Sequence, residues 1–402
     1  MREVALVGAG MTRFGKYLDR NLKDLAREAV ESVQKSAGVD TSAIEAAVVA
    51  NAAGGLVTGQ HQVRGQVVLR ELGIGDIPVI NAENACASSA TAFHLAWLYV
   101  ASGMYDCVLA LGMEKVYHED PYVPFAALDA AGDVELTKDQ MREMKETLEA
   151  GGRLSGSMIP LLPLHAERAQ RYIDQYGASP ASFAEVVVKN RAQGALNPKA
   201  RVQKPTTVEE VLAAPMAQAP LTTAMVCPLG DGAAAAIVVS PEKARQLTTH
   251  PIWVAASVIN SGKDIEEGEP NVVARSAKRA YEMAGVEPAD LDVLEMHDLI
   301  AHVEIMGYED IGLCGQGEGW KLAENGHTRF GGKQPVNPSG GFLAKGDPFG
   351  AVSLGQITEI FQQLRGEAEQ RQVEGAKLAL AQNSGGLVRG DFAATAVHIF
   401  KS

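Results

Sequence analysis

Two kinds of hydrophobic pattern alternate along the first fifty residues of the chain. Residues 4–7 form a short apolar run that ends at a glycine turn, which predicts a buried strand. Apolar residues then recur at helical spacing over 22–37, and Gly38 follows where a helix-ending glycine is expected. Residues 44–51 form a second apolar run of strand length. Strands that alternate with helices in this way predict an α/β fold.

The same order of elements returns in the C-terminal half of the chain. An apolar run at 252–258 predicts a strand, and helical spacing over 272–284 predicts a helix. Gly285 ends that helix as Gly38 ends the first, and an apolar run at 291–296 completes the match. Because order and spacing agree over roughly 45 residues, the pattern predicts two duplicated α/β halves.

A segment of different character separates the two halves. Residues 117–225 contain several prolines, a charged helical stretch at 137–150 and two more predicted helices, at 166–176 and 180–193. We interpret this segment as an inserted helical loop domain that walls a substrate channel, and a dimerisation flap explains the pattern equally well. The predicted organisation is an N-terminal half at 1–116 plus 226–247, the inserted domain at 117–225 and a C-terminal half at 248–402.

Composition and charge argue against several classes of binding partner. The 402 residues have a formal net charge of −13 and no long run of Lys and Arg, so we expect neither nucleic acid nor an anionic membrane as a partner. The four cysteines lie far apart without a C-x-x-C pair, which favours a reducing cytoplasm over a disulfide framework or a zinc site. We expect no signal peptide, and no stretch approaches the ~20 apolar residues of a membrane span.

Cys86 is the first candidate for chemistry. It lies where an apolar run ends and an apolar helix begins. Backbone N–H groups and the positive end of the helix dipole stabilise a thiolate at such a position, and the thiolate is the reactive form. The alternative is a structural cysteine, because a thiol among alanines is commonly a small buried hydrophobic group.

Three further stretches combine polar residues with glycines, at 295–298, 337–351 and 383–386. His297 follows a predicted strand, where a structural histidine is as reasonable as a catalytic one. Asp347 precedes a predicted helix at 351–364 and fits a helix N-cap as well as a functional carboxylate. The spacing of the nearby histidines does not match H-E-x-x-H, so we predict no metal site.

Together these segments resemble the thiolase superfamily, and within it the branch of the sterol-carrier-protein type (SCP2/SCPx-like). The resemblance spans nearly the whole chain and lies in the segments 84–90, 227–234, 297–298, 337–341 and 385–386. It implies a five-layered αβαβα thiolase fold, built from two duplicated halves with an inserted helical loop domain. It also implies a homodimer and a coenzyme A thioester as substrate, with no tightly bound cofactor.

The resemblance also implies site residues. The implied catalytic set is Cys86, His297, Asp347 and Ser384, and the implied substrate and oxyanion loops contain Asn337, Gly340, Gly341, Gly385 and Gly386. Two family features are missing, because Asp347 replaces the histidine of a Gly-His-Pro loop and no acid/base cysteine follows at Leu299 or in 383–385. A carboxylate near a thiol opposes the thiolate, whereas a carboxyl with a raised pKa serves as a general base.

The resemblance and the two missing family features leave three possible functions. The first is a thiolase-like acyl-CoA acyltransferase, which performs Claisen condensation or thiolytic cleavage of a β-ketoacyl-CoA through an acylated Cys86. The second is a retro-aldolase, a C–C lyase that acts on the side chain of a CoA thioester together with a small DUF35/OB-fold partner and needs no acylated cysteine. The third is a non-catalytic thiolase-fold subunit.

Overall fold

The computed structural model describes residues 1–152, 154–266 and 268–402. The strands are β1 Ala5–Met11, β2 Ala46–Ala50, β3 Val79–Ala82, β4 Cys107–Glu114, β5 Met216–Gln218, β6 Leu221–Thr222, β7 Gly232–Val239, β8 Ile252–Ser261, β9 Val293–Glu295, β10 Leu378–Val388 and β11 Asp391–Lys401. The helices are α1 Leu22–Ala37, α2 Gly54–Thr58, α3 Arg64–Glu71, α4 Ser88–Ala101, α5 Tyr122–Asp129, α6 Val134–Glu149, α7 Leu162–Tyr176, α8 Pro180–Gly194, α9 Val208–Ala213, α10 Pro241–Leu247, α11 Val272–Ala284, α12 Ala301–Asp310, α13 Gly319–Glu324, α14 Gly341–Lys345 and α15 Val352–Arg365.

Nine strands form one mixed sheet in the order β3-β2-β4-β7-β1-β8-β11-β10-β9. In the N-terminal half, β1 pairs antiparallel with β7, β7 antiparallel with β4, and β4 parallel with β2. In the C-terminal half, β8 pairs antiparallel with β11, β11 antiparallel with β10, and β10 parallel with β9. The two halves repeat one topology, so the predicted duplicated α/β architecture is confirmed.

Local sequence signals explain the first helix of each half. Helix α1 begins after Asn21, whose side chain accepts hydrogen bonds from the backbone N–H groups of Lys23 and Asp24. It ends at Gly38, which has a φ of 64°. The predicted bounds of α1 and α11 agree with the structure, because capping residues and apolar spacing both lie within the segment itself.

Strand β10 includes residues that the family resemblance assigned to a substrate loop. Strand β10 runs to Val388, so residues 383–386 lie within a strand instead of the predicted loop. Asn383 pairs with Ala396 and Ser384 with Thr395 on the neighbouring strand. Buried polar residues are tolerated in this strand because their side chains have partners elsewhere in the fold, which the local sequence does not show.

The buried apolar side chains form three layers, which lie between the sheet and the helices that pack on it. Helix α1 packs on the outer face of the N-terminal half, and α11 packs on the outer face of the C-terminal half. Helices α4 and α15 lie in the central layer between them. The alternation along β2 shows why, since Val48 faces the central layer and Val49 faces the outer one.

The segment between β4 and β7 contains helices α5 to α9 and the β5–β6 hairpin, and it separates two strands that are neighbours in the sheet. The predicted inserted segment at 117–225 falls in this part of the chain, and its boundaries stay a prediction. Within the described ranges, no helix combines the length and hydropathy that a membrane crossing requires.

Candidate active site

Cys86 lies in a single 3₁₀ turn, Ala85–Ala87, directly before α4. Ala85 has a φ of 48°, a left-handed conformation that costs an L-residue about 1 kcal/mol. Ser353 at the start of α15 donates a hydrogen bond to the backbone carbonyl of Cys86 at 2.9 Å. The strained turn and this bond fix the backbone of the thiol between the two central helices.

The carboxyl group of Asp347 contacts the Cys86 thiol directly. The Cys86 Sγ–H donates to Asp347 Oδ2 at 3.7 Å. The backbone N–H of Asp347 donates to Pro228 O at 3.0 Å, and Gly230 N–H donates to Asp347 O at 3.1 Å. Asp347 is only 2% exposed, and its Oδ1 has no hydrogen-bond partner among the described residues. The fold therefore holds one carboxyl oxygen on the thiol and leaves the other open.

Burial governs the protonation of this pair. Removal from water, and after it the charges of Asp347 and Cys227, raises the pKa of the Cys86 thiol well above its ordinary value. Burial also raises the pKa of Asp347 to about 7, although the hydrogen bond from Cys86 lowers it. The expected stabilisation of a thiolate by the helix N-terminus is outweighed, so the resting cysteine is a neutral thiol beside a carboxyl that titrates near neutrality.

Glu114, at the end of β4, is a site residue that the sequence analysis missed. Its carboxylate accepts hydrogen bonds from the backbone N–H groups of Ala52 and Ala53, and from that of Gly350 at 2.9 Å. Burial raises its pKa to about 7, against these hydrogen bonds. A carboxylate at the end of an otherwise apolar strand was the available signal. Glu114 joins the loop after β2 to the loop that contains Asp347.

His297 lies two residues after β9. Its ring meets Phe342 and Phe392 edge-on, at centroid distances of 4.9 and 5.6 Å. Burial lowers the pKa of His297 to about 4, although a hydrogen bond with the side chain of Asn383 raises it, so the imidazole is neutral near pH 7.

Strand β10 connects the histidine to the cysteine. Successive residues of a strand face opposite sides, so Asn383 and Gly385 share the side of the central layer. A Cβ on Gly385 would lie 3.0 Å from the backbone nitrogen of Cys86. Ser384 faces the other side, where its hydroxyl pairs with Thr395 at 2.7 Å and accepts from Gln382 at 2.9 Å. The structure thus brings Asn383 and Gly385 to the site, and it places Ser384 away from the thiol.

The loop at 337–341 packs against the backbone next to His297. Asn337 Oδ1 accepts from the backbone of Met296 and its Nδ2 donates to Glu304, both at 2.7 Å. A Cβ on Gly341 would lie 2.2 Å from the carboxylate of Asp298, and one on Gly340 would lie 2.6 Å from the backbone of α8. These three residues let the chain pack closely and thereby orient His297 and Asp347.

A cavity of about 80 Å³ opens beside Cys86. Since a water molecule occupies ~30 Å³ in the liquid, the cavity accommodates a few waters or a small acyl group. Leu387, next to Gly386, donates its N–H to Ala131 O at 3.0 Å and so ties β10 to the inserted segment. Small side chains keep the cavity open, and they are Ala52, Ala53, Ala85, Ala127, Ala130 and Ala131.

Gly385→Ala is expected to destabilise the protein and to displace the cysteine. The new methyl group would lie 2.0 Å from the backbone oxygen of Asn84, and such overpacking costs about 3 kcal/mol. Urea unfolding measures the loss. The matched control is Gly75→Ala, since no atom lies within 4 Å of a Cβ on Gly75; equal stability of the two variants would contradict the close approach.

Comparison with known proteins shows the family of the chain. The thiolase N-terminal domain model matches residues 4–242, and the thiolase C-terminal domain-like model matches residues 257–401. Acetyl-CoA acetyltransferase of Methanothermobacter thermautotrophicus is 36% identical over 407 residues and covers 100% of both chains. Sterol carrier protein 2 of Gallus gallus is 33% identical over 96% of this chain and 70% of its own.

A solved structure gives the same result for the fold. The Ltp2-ChsH2(DUF35) aldolase superposes with a TM-score of 0.77 at 22% identity, and the match covers 100% of this chain and 98% of the other. At that identity the likeness concerns the fold alone. Both family models and the full-length relatives lead to one conclusion: this chain belongs to the thiolase family.

Proposed function

We propose that the protein is a thiolase-type acyltransferase, in which Cys86 accepts the acyl group of a coenzyme A thioester. The observation that supports this most directly is the arrangement around the thiol. A carboxyl oxygen of Asp347 lies 3.7 Å from Cys86 Sγ, and a cavity lined by six alanines and by larger residues such as Leu128 and Phe349 opens beside the same cysteine. A nucleophile, a base in contact with it and space for an acyl group are the minimum for acyl transfer.

Asp347 is the base in this proposal. The thiol attacks the thioester carbonyl while its proton passes to Asp347 Oδ2, so no free thiolate has to accumulate in the buried site. A carboxyl with a pKa of about 7 accepts and returns a proton readily near neutral pH. Return of that proton to the departing Cys86 sulfur restores both residues at the end of the cycle.

The unpaired carboxyl oxygen beside the cysteine supports a place for the thioester next to the thiol. Within the described ranges, Asp347 Oδ1 is buried without a hydrogen-bond partner, and His297 and Asn383 interact with each other near the same strand. Buried polar atoms normally have partners, and at active sites the missing partner is commonly the substrate or a water. In the proposed complex the neutral imidazole of His297 orients the thioester, and the N–H of Cys86 at the helix start stabilises the developing oxyanion.

Mass spectrometry of the protein after incubation with acetyl-CoA tests the proposal. We expect one acetyl adduct, located on Cys86 by peptide mapping. Cys314→Ala is the matched control, because Cys314 is partly exposed and lies outside the site, and it should acylate like the parent chain. An adduct on another residue, or none after incubation with acetyl-CoA and longer acyl-CoA thioesters, would rule the proposal out.

Retro-aldol cleavage of a CoA thioester is the second candidate. One observation favours it: the pKa of Cys86 is raised, chiefly by burial, and the nearby Asp347 suits a base for a β-hydroxyl group. Such a lyase needs no acylated cysteine. Cleavage by a Cys86→Ala variant, alone or with a small OB-fold partner of the DUF35 type, would favour the lyase over acyl transfer.

A further inference from the structure

A second cysteine lies on the segment that joins the two halves of the site. The Cys227 N–H donates to the backbone oxygen of Leu299 at 2.8 Å, two residues after His297. Val226 pairs antiparallel with Ile300. The residues that follow Cys227 form the backbone hydrogen bonds to Asp347 described above, so Cys227 lies between the histidine loop and the aspartate loop.

The pairing places Cys227 opposite Leu299. Since Val226 is opposite Ile300 in an antiparallel bridge, the next pair is Cys227 and Leu299. Residues that face each other across such a pair have Cβ atoms about 4.5–5.5 Å apart on one face. Both side chains pack against the same two apolar layers, the central one and the C-terminal outer one. Cys227 therefore occupies space next to position 299, where the family resemblance led us to expect a cysteine that is absent.

Electrostatics agree with this position. Burial and then the charge of Asp347 raise the pKa of Cys227, and Cys227 in turn contributes to the raised pKa of Cys86. As a whole residue, Cys227 is partly buried. The unpaired buried atom Asp347 Oδ1 belongs to the same site. The two thiols and the carboxyl of Asp347 thus lie close enough to influence one another.

We infer that Cys227 is the acid/base group that moves the α-proton of the second acyl-CoA in C–C bond formation and cleavage. The inference rests on the proposed acyl transfer at Cys86. Its basis is the cross-strand pairing of Cys227 with Leu299 together with the backbone link to Asp347.

The protons balance over one condensation cycle. In the first half, Asp347 takes the proton of Cys86, the sulfur bonds to the acyl carbon, and the departing CoA thiolate takes the proton of Cys227. In the second half, the Cys227 thiolate removes the α-proton of another acyl-CoA, and the resulting carbanion bonds to the acyl carbon. The bond from that carbon to Cys86 then breaks, and Asp347 returns its proton to the sulfur. A thiolate of raised pKa is a strong base, which suits a weakly acidic C–H bond.

Two half-reactions separate this role from that of Cys86. In Cys227→Ala and in the closer analogue Cys227→Ser, we expect acetyl-CoA still to acylate Cys86, but more slowly than in the parent chain, because solvent then has to protonate the departing CoA. Exchange of the α-hydrogens of acetyl-CoA with D₂O, followed by mass spectrometry, should fall about 100-fold or more. Cys314→Ala should exchange at the parent rate.

The decisive variant moves the thiol from position 227 to the opposite position, 299. In the double variant Cys227→Ala with Leu299→Cys, the thiol returns to the opposite position, and we expect part of the α-hydrogen exchange to recover. A purely structural role of Cys227 would give no such recovery. Parent-level exchange in both Cys227 variants would overturn the inference and leave acyl transfer at Cys86 standing. A parent chain that forms no acyl adduct on Cys86 would overturn both.

Discussion

Cys86→Ala is expected to reduce acyl transfer by about 10⁴-fold or more, because a covalent nucleophile has no substitute within reach. Alanine retains the small volume that the packed 3₁₀ turn requires, so the variant should fold like the parent chain. The measurement is CoA release from acetyl-CoA in the presence of an acyl acceptor. We expect KM for the thioester to change little, since the cavity walls remain.

Cys107→Ala serves as the control for loss of a buried thiol. Cys107 lies fully buried on β4 in the outer layer, so its removal should lower stability and leave the rate per folded molecule unchanged. Turnover by Cys86→Ala within tenfold of the parent rate would mean that the chemistry does not pass through an acylated Cys86.

Asp347→Asn is expected to slow acylation of Cys86 by about 10²–10⁴-fold, the usual contribution of a general base. In the parent chain the carboxylate form disappears as the pH falls through about 7, so the acylation rate should drop about tenfold per pH unit below that value. The variant has no group to titrate at this position and should lose this pH dependence. Stopped-flow acylation between pH 5 and pH 9 provides the measurement.

Titration of Glu114 is the alternative explanation for a pH dependence of acylation near pH 7. Its pKa is also raised by burial to about 7, whereas His297 has already lost its proton at that pH because its pKa is about 4. A pH dependence near 7 that persists in Asp347→Asn would assign the titration to Glu114 instead.

The free energy of unfolding shows whether the Asp347→Asn variant is correctly folded. The folded protein keeps Asp347 protonated up to about pH 7, whereas an ordinary aspartate ionises near 3.8. Folding therefore takes up a proton between these values, and the free energy of unfolding falls as the pH rises from 3.8 towards 7. Asp347→Asn removes this loss and should be more stable than the parent above pH 7, by roughly 2–4 kcal/mol. A slow variant that is also more stable cannot owe its low rate to misfolding.

The fold was largely predictable because its signals are local. Helical spacing and the capping residues around 22–38 determine α1 without help from the rest of the chain. The repeat of that pattern at 272–285 predicted the duplication, which the sheet order confirms. The family resemblance supplied the layer arrangement that local patterns do not reveal.

The site was less predictable, because its properties depend on contacts between distant residues. The segment around Cys86 indicates a thiolate from its helix position, but burial beside Asp347, which is 261 residues away, reverses the sign. The local sequence does not show the position of Cys227 opposite Leu299, because that backbone pairing depends on the folded loops. Ser384 faces away from the thiol and Asn383 faces the site, because both residues lie within β10, where successive side chains face opposite sides.

The proposed catalytic centre draws its groups from both halves of the duplication. Cys86 belongs to the N-terminal half, whereas His297 and Asp347 belong to the C-terminal half, and α15 lies between them. Neither half alone holds both the proposed nucleophile and the proposed base. Acyl transfer by this mechanism therefore requires the two halves to be folded together.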